Sequence, residues 1–141
     1  LVTGRSNLAD RDPDSINKAI NAFSTIINRY PNSRYRADAE KRIAYLESAR
    51  AEQQINVARF YFARGAYVAA LHRSRLVLNQ YQDRPQIEDA LGIMYLSYQR
   101  MRMTDLADDT RRILSLNYPN SVYLKENYRP DGKWFTNLFK S

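Results

Sequence analysis

Tyr30-Pro31-Asn32-Ser33 and Tyr118-Pro119-Asn120-Ser121 are two copies of the same four residues, and each copy closes a stretch of helical spacing. The intervals before the two prolines also agree, at four, three and five residues: Ala19, Phe23, Ile26 and Pro31 in one copy, and Ala107, Arg111, Leu114 and Pro119 in the other. A small residue, two inward-facing positions and a terminating proline are the pattern of the second helix of a tetratricopeptide repeat. The two middle positions of each copy are therefore predicted to face the core.

A degenerate third copy lies between these two. Its members are Tyr67, Ala70, Ser74 and Val77, and Gln82 stands where the proline would be. The repeat intervals are 51 residues from Ala19 to Ala70 and 37 residues from Ala70 to Ala107. Because the usual period is about 34 residues, the first interval holds about half a repeat more. Repeat architecture predicts a surface that binds other proteins.

Caps and helix breakers predict where the first helices begin and end. Asp12-Pro13-Asp14 is a helix start, with a capping carboxylate and a proline in the first turn. No Gly or Pro interrupts the stretch from about Arg34 to Arg64, so a single long helix is predicted there, with Ser33 as its cap. Gly65 is expected to end that helix in a left-handed conformation. This long helix accounts for the extra half repeat.

Three further helices are predicted downstream. One runs from about Val68 to Tyr81, a second starts at Asp83-Arg84-Pro85, and a third is capped by Thr104 and stops at Tyr118. In the third helix the residues predicted to face inward are Leu106, Ala107, Ile113 and Leu114. The predicted fold class is all-α: a tetratricopeptide-repeat helical solenoid of about two and a half repeats, with one long central helix.

The pattern changes after Ser121. We predict a repeat domain over residues 1–121 and a C-terminal tail over residues 122–141. The tail contains the turn signal Pro130-Asp131-Gly132, followed by an aromatic segment around Trp134. Two interpretations are open: a tail that folds back on the last helix or is disordered, and a docking peptide for a partner or for the membrane interface.

Composition limits the class of protein. No apolar run approaches the roughly 18 residues of a membrane-spanning helix. The chain starts at Leu1 and not at Met, so we expect it to be part of a longer protein, with any targeting or lipid-attachment signal upstream. Without cysteine, the chain has neither zinc–cysteine sites nor thiol catalysis. The net charge of +7 comes mostly from arginine, which supplies 17 of the 22 cations.

Enzymatic activity is not expected, and neither is a cofactor or a metal. His72 is the single histidine and has only Ser74 near it as a candidate nucleophile. Asp108-Asp109 and Glu88-Asp89 are adjacent carboxylates, which point in different directions on a helix and do not form an acid–base pair. Four glycines do not supply a Gly-rich phosphate loop.

Nucleic-acid binding is a second hypothesis, because arginine and eleven tyrosines also suit that ligand. The arginines are spread along the chain in pairs, however, and most tyrosines fall at inward repeat positions or helix ends. We therefore expect no nucleic acid as a partner, although a phosphate-binding groove along the superhelix stays open at this point.

The chain resembles the C-terminal half of the BamD family, the tetratricopeptide lipoproteins of the outer-membrane β-barrel assembly machine of Gram-negative bacteria. The resemblance covers about residues 9 to 116 in register, and the tail departs from it. The matching stretches are Asp10-Arg11-Asp12-Pro13, Tyr30-Pro31-Asn32-Ser33, Asp38-Ala39-Glu40-Lys41-Arg42, Asn56-Val57-Ala58, Arg64-Gly65-Ala66-Tyr67-Val68-Ala69 and Tyr98-Gln99-Arg100-Met101.

The resemblance implies a non-catalytic scaffold at the periplasmic face of the outer membrane, anchored in the full-length protein by an N-terminal lipid. It also implies that the C-terminal repeats dock a POTRA domain of the barrel-insertion subunit, and that companion lipoproteins bind along the same protein. Arg73 matches the family arginine implicated in a salt bridge to a POTRA glutamate. Arg64, Tyr61 and Tyr67 flank the same corner and are further partner-binding candidates. An unrelated periplasmic tetratricopeptide adaptor is a third hypothesis.

Overall fold

The computed structural model describes residues 12–130, and all regular structure in that range is helical. The helices are α1 (Pro13–Arg29), α2 (Arg36–Ala63), α3 (Tyr67–Gln80), α4 (Gln86–Arg100) and α5 (Thr104–Asn117), followed by a short 3-10 helix at Val122–Leu124. The all-α prediction is confirmed, and each helix lies within a few residues of its predicted position. The aromatic segment around Trp134 lies outside the described residues.

The predicted long helix is present as α2, which has 28 residues. This is more than twice the mean length of about 11 to 12 residues in globular proteins. Gly65 follows it with φ +76°, in the left-handed region that a glycine adopts without strain. The Ala66 N–H donates to the Tyr61 carbonyl (2.9 Å) and the Gly65 N–H donates to the Phe62 carbonyl (3.0 Å). These two bonds form the predicted glycine C-cap.

The chain divides into two compact units within α2, after Gln53. In the first unit the Asp12 side chain accepts the Asp14 N–H and caps α1, as predicted. Ile16 of α1 forms a buried cluster with Leu46 and Ala49 of α2. Ala19, Ile20 and Phe23 pack against this cluster, so the amphipathic face of α1 supplies one side of a small core.

In the second unit α4 packs between α3 and α5. Most of α4 is buried. Its eight buried residues are Ala90, Leu91, Gly92, Ile93, Met94, Leu96, Ser97 and Tyr98. A helix that is apolar on nearly every side is expected at the centre of a packed unit. From α3 the buried residues are Ala70, Ser74 and Val77, which are the positions predicted by the degenerate third copy.

Four predicted inward positions are wrong. On α5 the buried residues are Ala107, Thr110 and Leu114, while Leu106, Ile113 and Arg111 are exposed. Each exposed residue is one step, about 100°, around the helix from a buried one, and the choice between neighbours depends on where α4 packs. Ile26 of α1 is also exposed. Thr104 is not the cap of α5 either, because Met103 holds that position without a side-chain hydrogen bond.

All three repeat copies close with the same backbone turn. The tyrosine N–H donates to the carbonyl four residues earlier, at 2.9 Å for Tyr30, 2.9 Å for Tyr81 and 2.7 Å for Tyr118. The tyrosine carbonyl accepts the N–H three residues later, at 3.0, 3.1 and 3.0 Å in the same order. The third copy thus makes the turn without proline, which confirms it as a copy.

Candidate partner-binding surface

Arg73 lies in the middle of α3 and is partly buried. Its Nη1 donates to Oε1 of Gln54 on α2 at 2.9 Å. This partner is neutral, and Arg73 makes no ion pair within residues 12–130. The guanidinium is therefore held in one orientation by an amide while its charge stays uncompensated by a carboxylate.

Arg64 and Tyr61 both lie at the end of α2, against Phe60. The Arg64 guanidinium lies 4.4 Å from the centroid of the Phe60 ring. The Tyr61 ring meets the same ring edge-on, at a centroid distance of 5.9 Å. Arg64 is exposed and follows the last helical residue, where a cation interacts favourably with the helix dipole.

Tyr67 begins α3 and lies in a separate group of contacts. Its ring packs edge-on against Phe62, with centroids 5.2 Å apart. Its hydroxyl accepts from Nη1 of Arg100 at 3.4 Å, and the Arg100 guanidinium lies 5.4 Å from the Phe62 ring centroid. Tyr67 therefore orients an arginine of α4. Among the described residues, none of the contacts of Arg73 reaches Tyr61, Arg64 or Tyr67.

A polar network that the sequence did not predict joins α2, α4 and the segment after α5. Arg59 Nη2 lies 3.1 Å from Oδ1 of Asp89 in a partly buried ion pair. The same carboxylate oxygen accepts the Tyr123 hydroxyl at 2.8 Å. Burial and the adjacent Asp89 carboxylate raise the pKa of the Tyr123 hydroxyl, so it stays protonated and remains the donor.

Gly92 allows Tyr123 to reach this network. A Cβ atom at position 92 would overlap the Tyr123 ring, so the ring lies directly on the α4 backbone. An isolated glycine inside an apolar helix often marks such a close approach, so Gly92 is the sequence signal from which this contact, though not its partner, could have been predicted. The Gly92–Tyr123 contact fixes residues 122–124 on the surface of α4.

A cleft of about 390 Å³ opens beside Tyr123, between α4, α5 and residues 123–128. Three cations line it: Arg100, Arg111 and Lys125. The Arg111 guanidinium lies 6.0 Å from the centroid of the Tyr95 ring, which also lines the cleft. Arg111, wrongly predicted as a core position, thus belongs to a polar surface.

The other residues considered for chemistry are His72 and the carboxylates of α4 and α5. His72 is exposed. Asp109 pairs with Arg112 at 3.0 Å on the surface of α5, and Asp89 belongs to the Tyr123 network. Residues 12–130 contain no group of three or more His, Asp or Glu side chains placed to hold a metal ion. A search of the same residues for a helix long and apolar enough to cross a membrane found none.

Comparison with known proteins identifies the family. Residues 2–114 match the model of the YfiO family, described as outer membrane lipoprotein. A relative from Neisseria meningitidis (strain Z2491), named outer membrane protein assembly factor BamD, is 41% identical over 123 residues. That match covers 87% of this chain and 46% of the relative.

More distant relatives carry the same name. The protein from Xylella fastidiosa (strain 9a5c) is 36% identical over 91% of this chain and 42% of its own length. The protein from Vibrio cholerae is 34% identical over 77% of this chain and 45% of its own length. The chain thus spans less than half the length of the curated relatives it matches. The match excludes the hypothesis of an unrelated adaptor and confirms the resemblance described above: the chain belongs to the YfiO/BamD family of outer membrane lipoproteins.

Proposed function

We propose that this chain is a non-catalytic scaffold within an outer-membrane β-barrel assembly factor, and that it docks a POTRA domain of the barrel-insertion subunit. The relatives are named assembly factors, and the match to them extends through α2 and α3. The observation that carries the docking proposal is the uncompensated charge of Arg73, held by Gln54 in the middle of α3.

The charge on α3 fits an acidic partner. Tyr67–Gln80 contains no Asp or Glu, and it contains His72, Arg73 and Arg75. Arg75 Nη2 donates to the Tyr98 hydroxyl at 3.1 Å, so this second arginine also has a neutral partner. A glutamate facing α3 would meet a basic surface, which favours encounter and fixes orientation.

The geometry of Arg73 suits a carboxylate in particular. Its partly buried side chain uses Nη1 for Gln54 and leaves the other guanidinium N–H groups for a partner. A planar guanidinium binds a carboxylate through two parallel hydrogen bonds, a geometry that lysine does not reproduce. Because Gln54 already orders the side chain, docking loses less side-chain entropy.

The remaining parts of the proposal concern the full-length protein. Family membership associates it with the outer membrane, and we propose that a lipid anchors it there on the periplasmic face. Companion lipoproteins of the assembly complex are further proposed partners, with Arg64, Tyr61 and Tyr67 as candidate contacts. Tyr61 and Tyr67 are partly buried and offer rigid rings of the kind that protein interfaces favour.

The arrangement of the arginines supports a protein partner over nucleic acid. Five guanidinium groups lie within 6.0 Å of an aromatic ring centroid of the same chain: Arg34 on Tyr35, Arg42 on Phe23, Arg64 on Phe60, Arg100 on Phe62 and Arg111 on Tyr95. Bases bind single-strand-binding proteins by stacking on open aromatic faces. Here an arginine of the same chain competes with a base for each of these five rings.

The variant Arg73→Glu tests the docking proposal. We expect it to weaken binding to the periplasmic region of the barrel-insertion subunit by at least about tenfold, because reversing one charge of a desolvated pair repels the other. Isothermal titration measures the affinity, and circular dichroism checks that the helices persist. Reversing the partner's glutamate to arginine should restore binding to the variant.

Arg112→Glu is the matched control, since Arg112 lies on the exposed surface of α5 and pairs there with Asp109 at 3.0 Å. It carries the same charge change and should leave the affinity within about twofold of the unmodified chain. Equal affinities of the Arg73→Glu and Arg112→Glu chains would refute the assignment of Arg73.

A further inference from the structure

The cleft between α4, α5 and residues 123–128 is a second charged surface, distinct from the one around Arg73. Its volume of about 390 Å³ lies within the range of protein ligand sites. Arg100 comes from α4, Arg111 from α5 and Lys125 from the segment after the 3-10 helix. Three consecutive elements thus place cations around one space.

These cations lack compensating charge. Within the described part of the chain, Arg100, Arg111 and Lys125 form no ion pair, and Glu126 is the one carboxylate among the described residues that line the cleft. Other exposed arginines among the described residues pair with a carboxylate on their own helix, as Arg36 does with Glu40 and Arg42 with Asp38. The cleft is therefore locally electropositive and accepts an anion at little desolvation cost.

Neighbouring rings hold the two guanidinium groups. Arg100 lies over Phe62 and donates one N–H to the Tyr67 hydroxyl. Arg111 lies over Tyr95, whose hydroxyl accepts from Gln99 at 3.4 Å. A guanidinium that lies over a ring keeps in-plane N–H groups for another ligand, so these ring contacts leave donors of both arginines for an anion.

The floor of the cleft is rigid. Tyr123 lies on Gly92 and donates to Asp89, and the Tyr128 ring packs edge-on against Tyr123 at a centroid distance of 5.0 Å. Residues 125–128 are thereby held as a wall, with the Tyr128 N–H donating to the Lys125 carbonyl at 3.3 Å. A site that exists before the ligand arrives binds it with a smaller entropic cost.

We infer that this cleft binds an extended acidic peptide segment of a partner protein, with a carboxylate of that segment between Arg100 and Arg111. The peptide is favoured over nucleic acid for two reasons. Three cations neutralise few phosphates, and Arg111 lies 6.0 Å from the centroid of the Tyr95 ring, where it competes with a base for that ring. This inference does not depend on the docking role of Arg73.

An NMR titration of the full, isotope-labelled chain tests the inference. The probes are a short peptide that alternates glutamate with glycine and its counterpart with glutamine in place of glutamate, at about 150 mM salt. We expect the glutamate peptide to shift the amide signals of Gln99, Arg111 and Lys125, and the glutamine peptide to leave them unchanged. Equal shifts from both peptides, or shifts confined to other parts of the chain, would overturn the site.

Two variants locate the contact. Arg100→Gln combined with Arg111→Gln should weaken glutamate-peptide binding by about tenfold or more. Lys125→Gln, on a flexible side chain, should weaken it less. Arg112→Gln carries a matched loss of charge on α5 outside the cleft and should bind like the unmodified chain. Circular dichroism confirms the helical content of each.

Further measurements distinguish the peptide from other anions and distinguish the cleft from the Arg73 surface. A single-stranded oligonucleotide, or vesicles of anionic phospholipid, should displace the peptide less effectively than the unlabelled glutamate peptide does. If the oligonucleotide or the vesicles displace the peptide more effectively, and the Arg100→Gln and Arg111→Gln changes abolish this effect, then that anion and not a peptide is the ligand of the cleft. Arg73→Glu should leave peptide binding intact. The proposal for the cleft and the proposal for the POTRA contact can therefore be refuted independently.

Discussion

The two Tyr-Pro-Asn-Ser turns have the same local structure and opposite environments. In both, the serine Oγ accepts the N–H two residues later, at 3.1 Å for Ser33 to Tyr35 and at 3.3 Å for Ser121 to Tyr123. Both turns therefore place a tyrosine at the same position. Tyr35 is 59% exposed, whereas Tyr123 is 1% exposed.

The neighbours of each tyrosine explain this difference. Tyr35 contacts Arg34 beside it, whose Nη2 donates to the Tyr35 hydroxyl at 3.0 Å on the surface. Tyr123 lies on Gly92 and donates to Asp89, 34 residues earlier in the chain. The turn presents a ring, and only a glycine on the facing helix allows that ring to be buried. A repeated motif thus specifies local geometry, while its contribution to stability depends on its partner.

Truncation of Tyr35 and Tyr123 is expected to give the largest difference in the free energy of unfolding. Tyr123→Ala should lower the free energy of unfolding by about 3 kcal/mol, because it empties a buried site and removes one of the two donors to Oδ1 of Asp89, the other being Arg59. Tyr35→Ala should change it by less than about 0.5 kcal/mol, as at other exposed positions. Urea denaturation of the full chain, followed by circular dichroism, measures both. Similar losses for the two variants would show that burial of Tyr123 adds no stability.

Gly92→Ala tests the close approach, because its effect on the free energy of unfolding should reverse sign when the Tyr123 ring is removed. In the unmodified chain the new methyl group overlaps the Tyr123 ring, and overpacking of this kind should cost about 1 to 3 kcal/mol. In a Tyr123→Ala background the overlap is gone, so the same change should stabilise the helix by up to about 1 kcal/mol through helix propensity. Denaturation of the four chains gives the double-mutant cycle. A Gly92→Ala effect that is the same in both backgrounds would contradict the contact.

The two serines provide the smallest contrast. Ser121→Ala should cost about 1 to 2 kcal/mol, because it leaves the buried Tyr123 N–H without its acceptor. Ser33→Ala should cost about 0.5 kcal/mol, because water replaces the acceptor for the exposed Tyr35 N–H. The Ser33 hydrogen bond is the shorter of the two. A larger loss of stability for Ser33→Ala than for Ser121→Ala would therefore argue against burial as the cause of the difference. Denaturant titration of the two variants distinguishes these outcomes.

The sequence predicted the helices closely because their signals are local. The absence of Gly and Pro over about 34–64 indicated α2, Gly65 indicated its end, and Asp12 indicated the cap of α1. These features depend on backbone bonds between residues a few positions apart. The degenerate copy around Tyr81 was also predicted, since the turn needs its hydrogen bonds and not its proline.

The buried faces of the helices and the side-chain contacts between helices were predicted less well. The spacing that suggested an inward Arg111 is satisfied equally by its neighbour Thr110, and the packing of α4 buries Thr110. The contact between Asp89 and Tyr123 was not predicted, because nothing local to either residue indicates its partner. The assignments of Arg73, Arg64, Tyr61 and Tyr67 came from family resemblance and stay predictions, while the structure adds that Gln54 orients Arg73 and that Tyr67 orients Arg100.

The sequence by itself determined the helices, the turns and the family of this chain, since these follow from short-range hydrogen bonds and from motifs read in order. Only the tertiary structure decided which tyrosine is buried, which arginines share a cleft and which keep an uncompensated charge. The contacts responsible join residues on different helices, some of them 30 or more positions apart, as in Arg59 with Asp89 and Arg100 with Tyr67. Such contacts form only when α2, α3 and α4 pack together, because desolvation and close approach are properties of that packing and not of any one segment.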